Sequence, residues 1–271
     1  MELEIYQVDA FTSHAFKGNP AAVCITENGL DEALMLKIAS EMAVSETAFL
    51  SLSDWRLRWF TPQTEVALCG HGTLATAHVL RKKGLAHEGD ILAFHTQSGI
   101  LNATILSDAI ELDFPTPHLV QCVDPDPALL GALGLTRSQV VDSYSFESKL
   151  MLVVERSETV HAIAPNYEQL KQLKGRGVVV SAQSEQPETD IVSRYFAPWV
   201  GVNEDYVTGS AHCALAAYWS EKLNKAVLCG YQASSRGGVI NMELQGNRRI
   251  KLSGQAVIVV HGKLLIPPSD R

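Results

Sequence analysis

Arg58-Trp59-Phe60-Thr61-Pro62 and Arg194-Tyr195-Phe196-Ala197-Pro198 are the two stretches from which the fold can be read. Both follow the pattern Arg-aromatic-Phe-small-Pro, at an offset of 136 residues (58 to 194). The first leads into Cys69-Gly70-His71-Gly72-Thr73 and the uncharged run Leu74 to Leu80. The second leads into Thr208-Gly209-Ser210-Ala211-His212-Cys213 and the uncharged run Ala214 to Ser220. Gly70 and Gly209 are offset by 139, as are Gly99 and Gly238; Ile110-Glu111-Leu112 and Ile250-Lys251-Leu252 are offset by 140. A near-constant offset over four landmarks predicts a duplicated lobe, a pseudo-dyad of two copies rather than a solenoid.

Each copy reads strand, Gly-containing turn, helix. A helix without charge over two turns is buried all round. The first is expected over Gly72 to Lys83, ending on cations and Gly84, as C-termini do. The second is expected to start at Ser210, a good N-cap residue. A helix start presents unpaired N–H groups and partial positive charge, which suits an anion. Two such ends, related by a dyad and facing one cleft, would cradle a small carboxylate. The plainer alternative is two core helices capped by water.

The 271 residues suffice for two lobes. With 46% hydrophobic and 19% charged residues and mean hydropathy +0.04, the composition is that of a globular chain. A net charge of −8 and pI of about 5.6 argue against nucleic-acid binding, which needs a basic face. No apolar run is long enough for a membrane span, and Met1-Glu2-Leu3-Glu4 is not the start of a signal peptide. Five cysteines, an odd number without a Cys-x-x-Cys pair, read as reduced thiols in a cytoplasmic protein.

The expected boundary lies in the proline-rich stretch from Pro115 to Pro127, giving an N-terminal lobe at 1–117 and a C-terminal lobe at 118–262. The last strand, within 263–271, is expected to cross back to the first lobe. Strands are expected at Ile5–Phe11, Ala21–Thr26, Ser45–Leu50, Trp55–Phe60 and Thr159–Ile163, among others, and an amphipathic helix at Asp31–Met42. Many short strands with one central helix per copy indicate an α+β fold.

Asp9-Ala10-Phe11, Gly18-Asn19-Pro20-Ala21-Ala22-Val23, Ser45-Glu46-Thr47-Ala48-Phe49, Cys69-Gly70-His71-Gly72-Thr73, the stretch Glu204 to His212, and Arg236-Gly237-Gly238 together resemble the PhzF-like family of phenazine-biosynthesis isomerases. That family belongs to the diaminopimelate epimerase and proline racemase superfamily. The resemblance spans nearly the whole chain. It implies two pseudo-symmetric lobes, each a β-barrel-like, mostly antiparallel sheet around a central helix, with the site between them. One departure is Tyr206, where the family usually carries Pro.

The resemblance further implies a cofactor-independent isomerase that uses no metal. Glu46 would be the base, and His71 and Asp205 the other catalytic polar groups. Ser210, Thr208, Gly70 and the backbone N–H groups of Gly72 and Ala211 would hold the substrate. A carboxylate suits removal of a proton made acidic by a neighbouring carboxyl or conjugated system. His71, at a helix start, is expected to be neutral. Read without the resemblance, Glu46 is a strand-end surface charge, Asp205 and Ser210 are helix caps, and His71 and His78 are core histidines.

The expected partners are a small-molecule carboxylate substrate and, among possible assemblies, a homodimer; neither nucleic acid nor membrane is expected. A rival reading is a two-base racemase with thiols on opposite faces of a carbon. Cys69 occupies the first thiol's place, but its repeat partner is Thr208, whose hydroxyl is too weak an acid, and Cys213 lies over one helical turn further on. A third reading is a non-catalytic binding protein on the same fold. A metal shared by Cys69, His71, His212 and Cys213 has none of the usual ligand spacings. Ser210 fails the Gly-x-Ser-x-Gly test for a hydrolase nucleophile.

Overall fold

The computed structural model describes residues 1–267. The chain forms two compact units, Met1–Asp113 together with the chain from Ser253 onward, and Phe114–Leu252. Among the described residues no helix is long and apolar enough to cross a membrane.

The first unit contains β1 (Glu2–Ala10), β2 (Asn19–Thr26), α1 (Glu32–Met42), β3 (Glu46–Ser51), β4 (Arg56–Phe60), β5 (Glu65–Val66), α2 (Gly70–Lys82), β6 (Ile91–Thr96), β7 (Gly99–Ile105) and the start of β8 (Ile110–Pro115). β1 runs antiparallel to β2, and β2 parallel to β3, with Ala22 opposite Thr47. β3 is antiparallel to β4, with Thr47 opposite Phe60; β4 is antiparallel to β5 and parallel to β6. β6, β7 and β8 form a meander. A closing strand, Ala256–Leu265, pairs with β1 from Glu2↔Leu265 to Ala10↔Ala256. The boundary therefore falls at Asp113/Phe114 rather than near residue 118. The return begins at Ser253 rather than 263, because this strand uses the full length of β1. Residues 268–271 of the expected crossing strand lie outside the described residues.

Strand alternation assigns the two faces of this sheet. Phe49 and Phe60 pack with Met35, Ile38 and Ala39 of α1. Trp59, one residue away, lies against α2 at Gly72. α2 packs on β1, β2, β3, β7 and the closing strand, and every residue from His71 to Leu80 is buried. Its two buried threonines are satisfied by backbone carbonyls one turn back: Thr73 Oγ1 donates to Cys69 O at 2.7 Å and Thr76 Oγ1 to Gly72 O at 2.8 Å. The helix starts two residues earlier than the sequence suggested, because Cys69 caps it, its Sγ accepting from Gly72 N at 3.3 Å.

The second unit contains β9 (Val120–Gln121), α3 (Pro127–Leu133), β10 (Val140–Phe146), β11 (Lys149–Val154), α4 (Ser157–Ala162), α5 (Tyr167–Gln172), β12 (Val178–Gln183), β13 (Ile191–Ala197), β14 (Val202–Asp205), α6 (Gly209–Leu223), β15 (Val227–Gln232), β16 (Gly238–Gln245) and most of β17 (Arg249–Gly254). Its pairings repeat those of the first unit. β10 is antiparallel to β11, β11 parallel to β12, β12 antiparallel to β13, β13 antiparallel to β14 and parallel to β15. α6 packs on β15 and β16. Where the first unit has α1, this one has α3, α4 and α5, which contribute Leu130, Val160 and Leu170 to a core with Val180 and Phe196.

The strand expected at Thr159–Ile163 is instead helix α4. Its buried residues, Ser157 and Val160, are three apart, a helical rather than an alternating spacing. α6 begins at Gly209 with Thr208 as its N-cap, so Ser210 lies in the first turn rather than at the cap.

Candidate active site

The landmark arginines do the same work in both units. Arg58 forms a two-pronged pair with Glu65, both contacts 2.7 Å, and lies over Phe60. Arg194 pairs with Glu204 at 2.7 and 3.0 Å and lies over Phe196. Bidentate pairs of this kind fix geometry as well as charge. They tie β4 to β5 and β13 to β14, and so aim the turns that start α2 and α6.

In the first unit, Glu46 opens β3 and His71 is the second residue of α2. His71 Nε2 lies 3.0 Å from Glu46 Oε2. Cys69 Sγ faces the same ring, 3.6 Å from Nδ1 and 3.8 Å from Nε2. His71 and Cys69 are buried, and the Glu46 side chain keeps 20% exposure. Although His71 is close, no donor is directed at Glu46 Oε2, which is itself buried. Burial works to lower the His71 pKa, but the neighbouring Cys69 and the Glu46 carboxylate outweigh it and hold it well above the usual histidine value. The neutral imidazole expected from the helix start is thus corrected: the carboxylate at 3.0 Å overrides the helix end and favours the imidazolium. Burial pushes the Cys69 thiol up.

Gly72 is tightly enclosed. A Cβ there would lie 2.8 Å from Trp59 Cδ1 and 3.0 Å from Cys69 Sγ. Trp59 is 1% exposed and its indole Nε1 has no hydrogen-bond partner. Gly70 opens the helix beside this group. Glu46, Cys69 and His71 are the one cluster of metal-ligating side chains found among the described residues, their ligand atoms all within 4.8 Å of one another. His212 and Cys213, weighed from sequence as co-ligands, are not in it.

In the second unit, Asp205 ends β14, and its Oδ2 accepts from Thr208 Oγ1 at 2.6 Å. Gln232 locks this corner. Its Oε1 accepts from Thr208 N at 2.8 Å, and its Nε2 donates to Asp205 O at 2.7 Å and Thr208 Oγ1 at 3.2 Å. Ser210 Oγ accepts from Lys149 Nζ at 3.1 Å, and Lys149 also pairs with Glu147 at 2.8 Å. Ala211 is fully buried. Tyr206, in place of the expected proline, is held by Ser234 Oγ, which donates to its carbonyl at 2.8 Å, and by Arg236 over its ring.

Glu46, Gly70, His71 and Gly72 therefore gather in one unit, and Asp205, Thr208, Ser210 and Ala211 in the other. Lys149, Gln232 and Trp59 were not identified from sequence. Lys149 is 61 residues from Ser210, and nothing in its local sequence marks it.

The family model for phenazine biosynthesis-like proteins, PhzC-PhzF, matches residues 8–262. This chain belongs to the PhzF-like family and is an isomerase. A relative from Halalkalibacterium halodurans, described as an uncharacterized isomerase, is 45% identical over 98% of this chain and 100% of its own length. The crystal structure of a PhzF family protein from Enterococcus faecalis superposes with a TM-score of 0.91 at 40% identity, covering 98% of this chain and 100% of that one. A probable proline racemase from Agrobacterium radiobacter shares the fold alone, at 12% identity and a TM-score of 0.61, covering 99% and 94% of the two chains. The fold of this PhzF-like chain is thus α+β and diaminopimelate epimerase-like.

Proposed function

We propose that this PhzF-like isomerase moves a proton within a small carboxylate-bearing metabolite by general acid/base catalysis, without a cofactor. The contact of Glu46 with His71 at 3.0 Å carries this reading. A carboxylate oxygen buried there, rather than on the surface, is what a proton-abstracting group needs and what a non-catalytic binder does not. Glu46 takes a proton from a carbon next to a carboxyl or conjugated group, the double bond shifts, and the proton returns to another carbon. The protonated His71 beside it stabilises the negative charge that develops in between. The start of α6, with Ser210, Lys149 and the N–H groups near Ala211, supplies the chemistry for holding a carboxylate, and Asp205 a hydroxyl or amine.

The two-thiol racemase is disfavoured on two counts. Thr208, at the second thiol's place, has its hydroxyl committed to Asp205. Burial pushes the Cys213 thiol up to about 12. Cys69→Ser keeps most activity on this reading; a loss of several orders of magnitude, with racemisation of an amino acid by the native protein, would establish the two-thiol reaction instead. Five cysteines, none in a disulfide, support a reducing, cytoplasmic location.

The test is a panel of small carboxylic acids in deuterated buffer, read by mass increase. Glu46→Gln keeps the shape and removes the base. It is expected to lower the exchange rate by about 10² to 10⁴ while still binding the substrate. Exchange at an unchanged rate would remove Glu46 from the reaction.

A further inference from the structure

We propose that Glu46, Cys69 and His71 form a three-ligand site for a zinc-type divalent ion that switches the enzyme off. The inhibitory consequence rests on the catalytic reading above; the metal site does not.

The argument starts from donor chemistry. A thiolate, an imidazole and a carboxylate are the set that suits a borderline-soft ion such as Zn²⁺, whereas Mg²⁺ and Ca²⁺ prefer oxygen alone. The spacing agrees. Zinc bonds of about 2.3 Å to sulfur and about 2.0 Å to nitrogen or oxygen, set tetrahedrally, put S···N at about 3.6 Å and N···O at about 3.3 Å. Cys69 Sγ is 3.8 Å from His71 Nε2, and that nitrogen is 3.0 Å from Glu46 Oε2. All three ligand atoms lie within 4.8 Å of one another, so small side-chain rotations bring them onto one ion.

A second observation points the same way. Glu46 Oε2 is buried, and its neighbour His71 Nε2, at 3.0 Å, is an ion-pair partner that does not meet hydrogen-bond geometry. Buried carboxylate oxygens are normally satisfied, and a cation at the centre of the three groups would satisfy this one. The scaffold is fixed: Cys69 caps α2 through Gly72 N at 3.3 Å, and Glu46 is held in the β2–β3 ladder. Three protein ligands leave a fourth position for water or a substrate carboxylate. An ion bound here displaces two protons to solvent, one from the Cys69 thiol and one from Nε2 of the His71 imidazolium, and occupies the Glu46 oxygen that would take the substrate proton.

The test uses Co²⁺ as a spectroscopic stand-in for Zn²⁺ and needs no substrate. The native protein is expected to bind one equivalent of Co²⁺ with a thiolate-to-cobalt charge-transfer band and tetrahedral d–d absorption, both bleached by Zn²⁺. Cys213→Ser and Cys229→Ser keep the band, and Cys69→Ser loses it. Glu46→Gln and His71→Gln each weaken binding by at least roughly ten-fold. No charge-transfer band in the native protein at saturating cobalt overturns the proposal, as does a band that survives Cys69→Ser. If Cys69→Ser fails to fold by circular dichroism, undiminished cobalt affinity in both Glu46→Gln and His71→Gln overturns it instead. A native protein that binds cobalt but catalyses no exchange on any acid, metal-free, keeps the site and removes the catalytic reading.

Discussion

The starts of α2 and α6 are built on the same frame and set side chains of opposite charge beside the second residue of the helix. Thr47 pairs with Phe60 as Val178 pairs with Phe196, so Glu46 and Gly177 are equivalent positions. On the neighbouring parallel strands Ala22 faces Thr47 as Leu150 faces Val178, which makes Ala21 and Lys149 equivalent. The offset of the Gly landmarks makes His71 and Ser210 equivalent in turn. One copy therefore sets a carboxylate against the second residue of its helix, at 3.0 Å. The other sets an ammonium group against the same position, at 3.1 Å. A symmetric pair of anion cradles would need neither. On the function proposed above, this asymmetry corresponds to a division of labour: the copy with Glu46 would move the proton, and the copy with Lys149 would attract the substrate's negative charge.

Breaking that division should produce the largest effect. Glu46→Gln is expected to cost about 10² to 10⁴ in proton exchange with binding retained. Lys149→Met is expected to do the reverse, raising KM several-fold with a smaller change in kcat, in steady-state assays on any acid that exchanges. A Lys149→Met variant with native KM would detach the second copy from substrate binding.

Acid stability comes next. Thr73 and His212 are equivalent, and both bond the N-cap carbonyl: Thr73 Oγ1 to Cys69 O at 2.7 Å, His212 Nδ1 to Thr208 O at 2.9 Å. Burial holds His212 at about 4, and burial followed by Lys82 and Arg81 holds His78 at about 4. Each is neutral when folded at pH 5, whereas an unfolded histidine titrates near 6.5. At these two groups the unfolded chain binds more protons between these values, so both make stability rise with pH across that window, whereas His71, held above the usual value, acts in the opposite sense. The contribution of His212 and His78 is complete above about pH 6.5 and is lost as pH falls toward 4, by on the order of 3 kcal/mol for each group. Urea unfolding at pH 7 and pH 5 measures it. His212→Thr copies the α2 solution and should remove about one proton from the slope; an unchanged slope would place the acid sensitivity elsewhere.

A smaller effect separates Gly72 from its counterpart Ala211. Gly72 has Trp59 and Cys69 within 3.0 Å of where a Cβ would stand, whereas α6 accepts a methyl group at the same position. Gly72→Ala should cost roughly 1–3 kcal/mol by overpacking, and Ala211→Gly only about 0.5–1 kcal/mol through helix propensity. Equal costs, measured by urea unfolding, would mean that the Trp59 contact is not what requires the glycine.

The repeat and the two central helices were legible in the sequence, because short motifs at a near-constant offset carry them; Glu46 and His71 were marked only by the resemblance to the PhzF-like family, since Glu46 has no acidic counterpart in the repeat. What escaped is non-local. Lys149 reaches Ser210 across 61 residues, and Gln232 locks the Thr208 corner from another strand. The charge of His71 depends on a partner brought in by β3, so its helix position alone gave the wrong protonation state. The helix at Ser157–Ala162 was read as a strand because a six-residue element has too few turns to show a period.

The smallest expected effect tests why only one copy carries the base. A Cβ on Gly177 would lie 2.0 Å from the Tyr195 hydroxyl oxygen and 2.5 Å from Cζ. Tyr195, the counterpart of Trp59, thus fills the space that the Glu46 side chain begins to occupy in the first copy. A side chain at 177 clashes with this ring unless one of the two moves. Gly177 precedes β12, so the backbone there can shift to relieve part of the clash, and Gly177→Ala is expected to cost roughly 1–2 kcal/mol. Tyr195→Leu removes the ring and leaves a cavity, with its own cost. In the Tyr195→Leu background the Gly177→Ala cost should fall close to zero or change sign, because the new methyl group enters the vacated space. The double-mutant cycle then shows a coupling of about 1 kcal/mol or more. Additive costs would mean that Tyr195 does not exclude a side chain at 177, and the asymmetry between the copies would need a different physical origin.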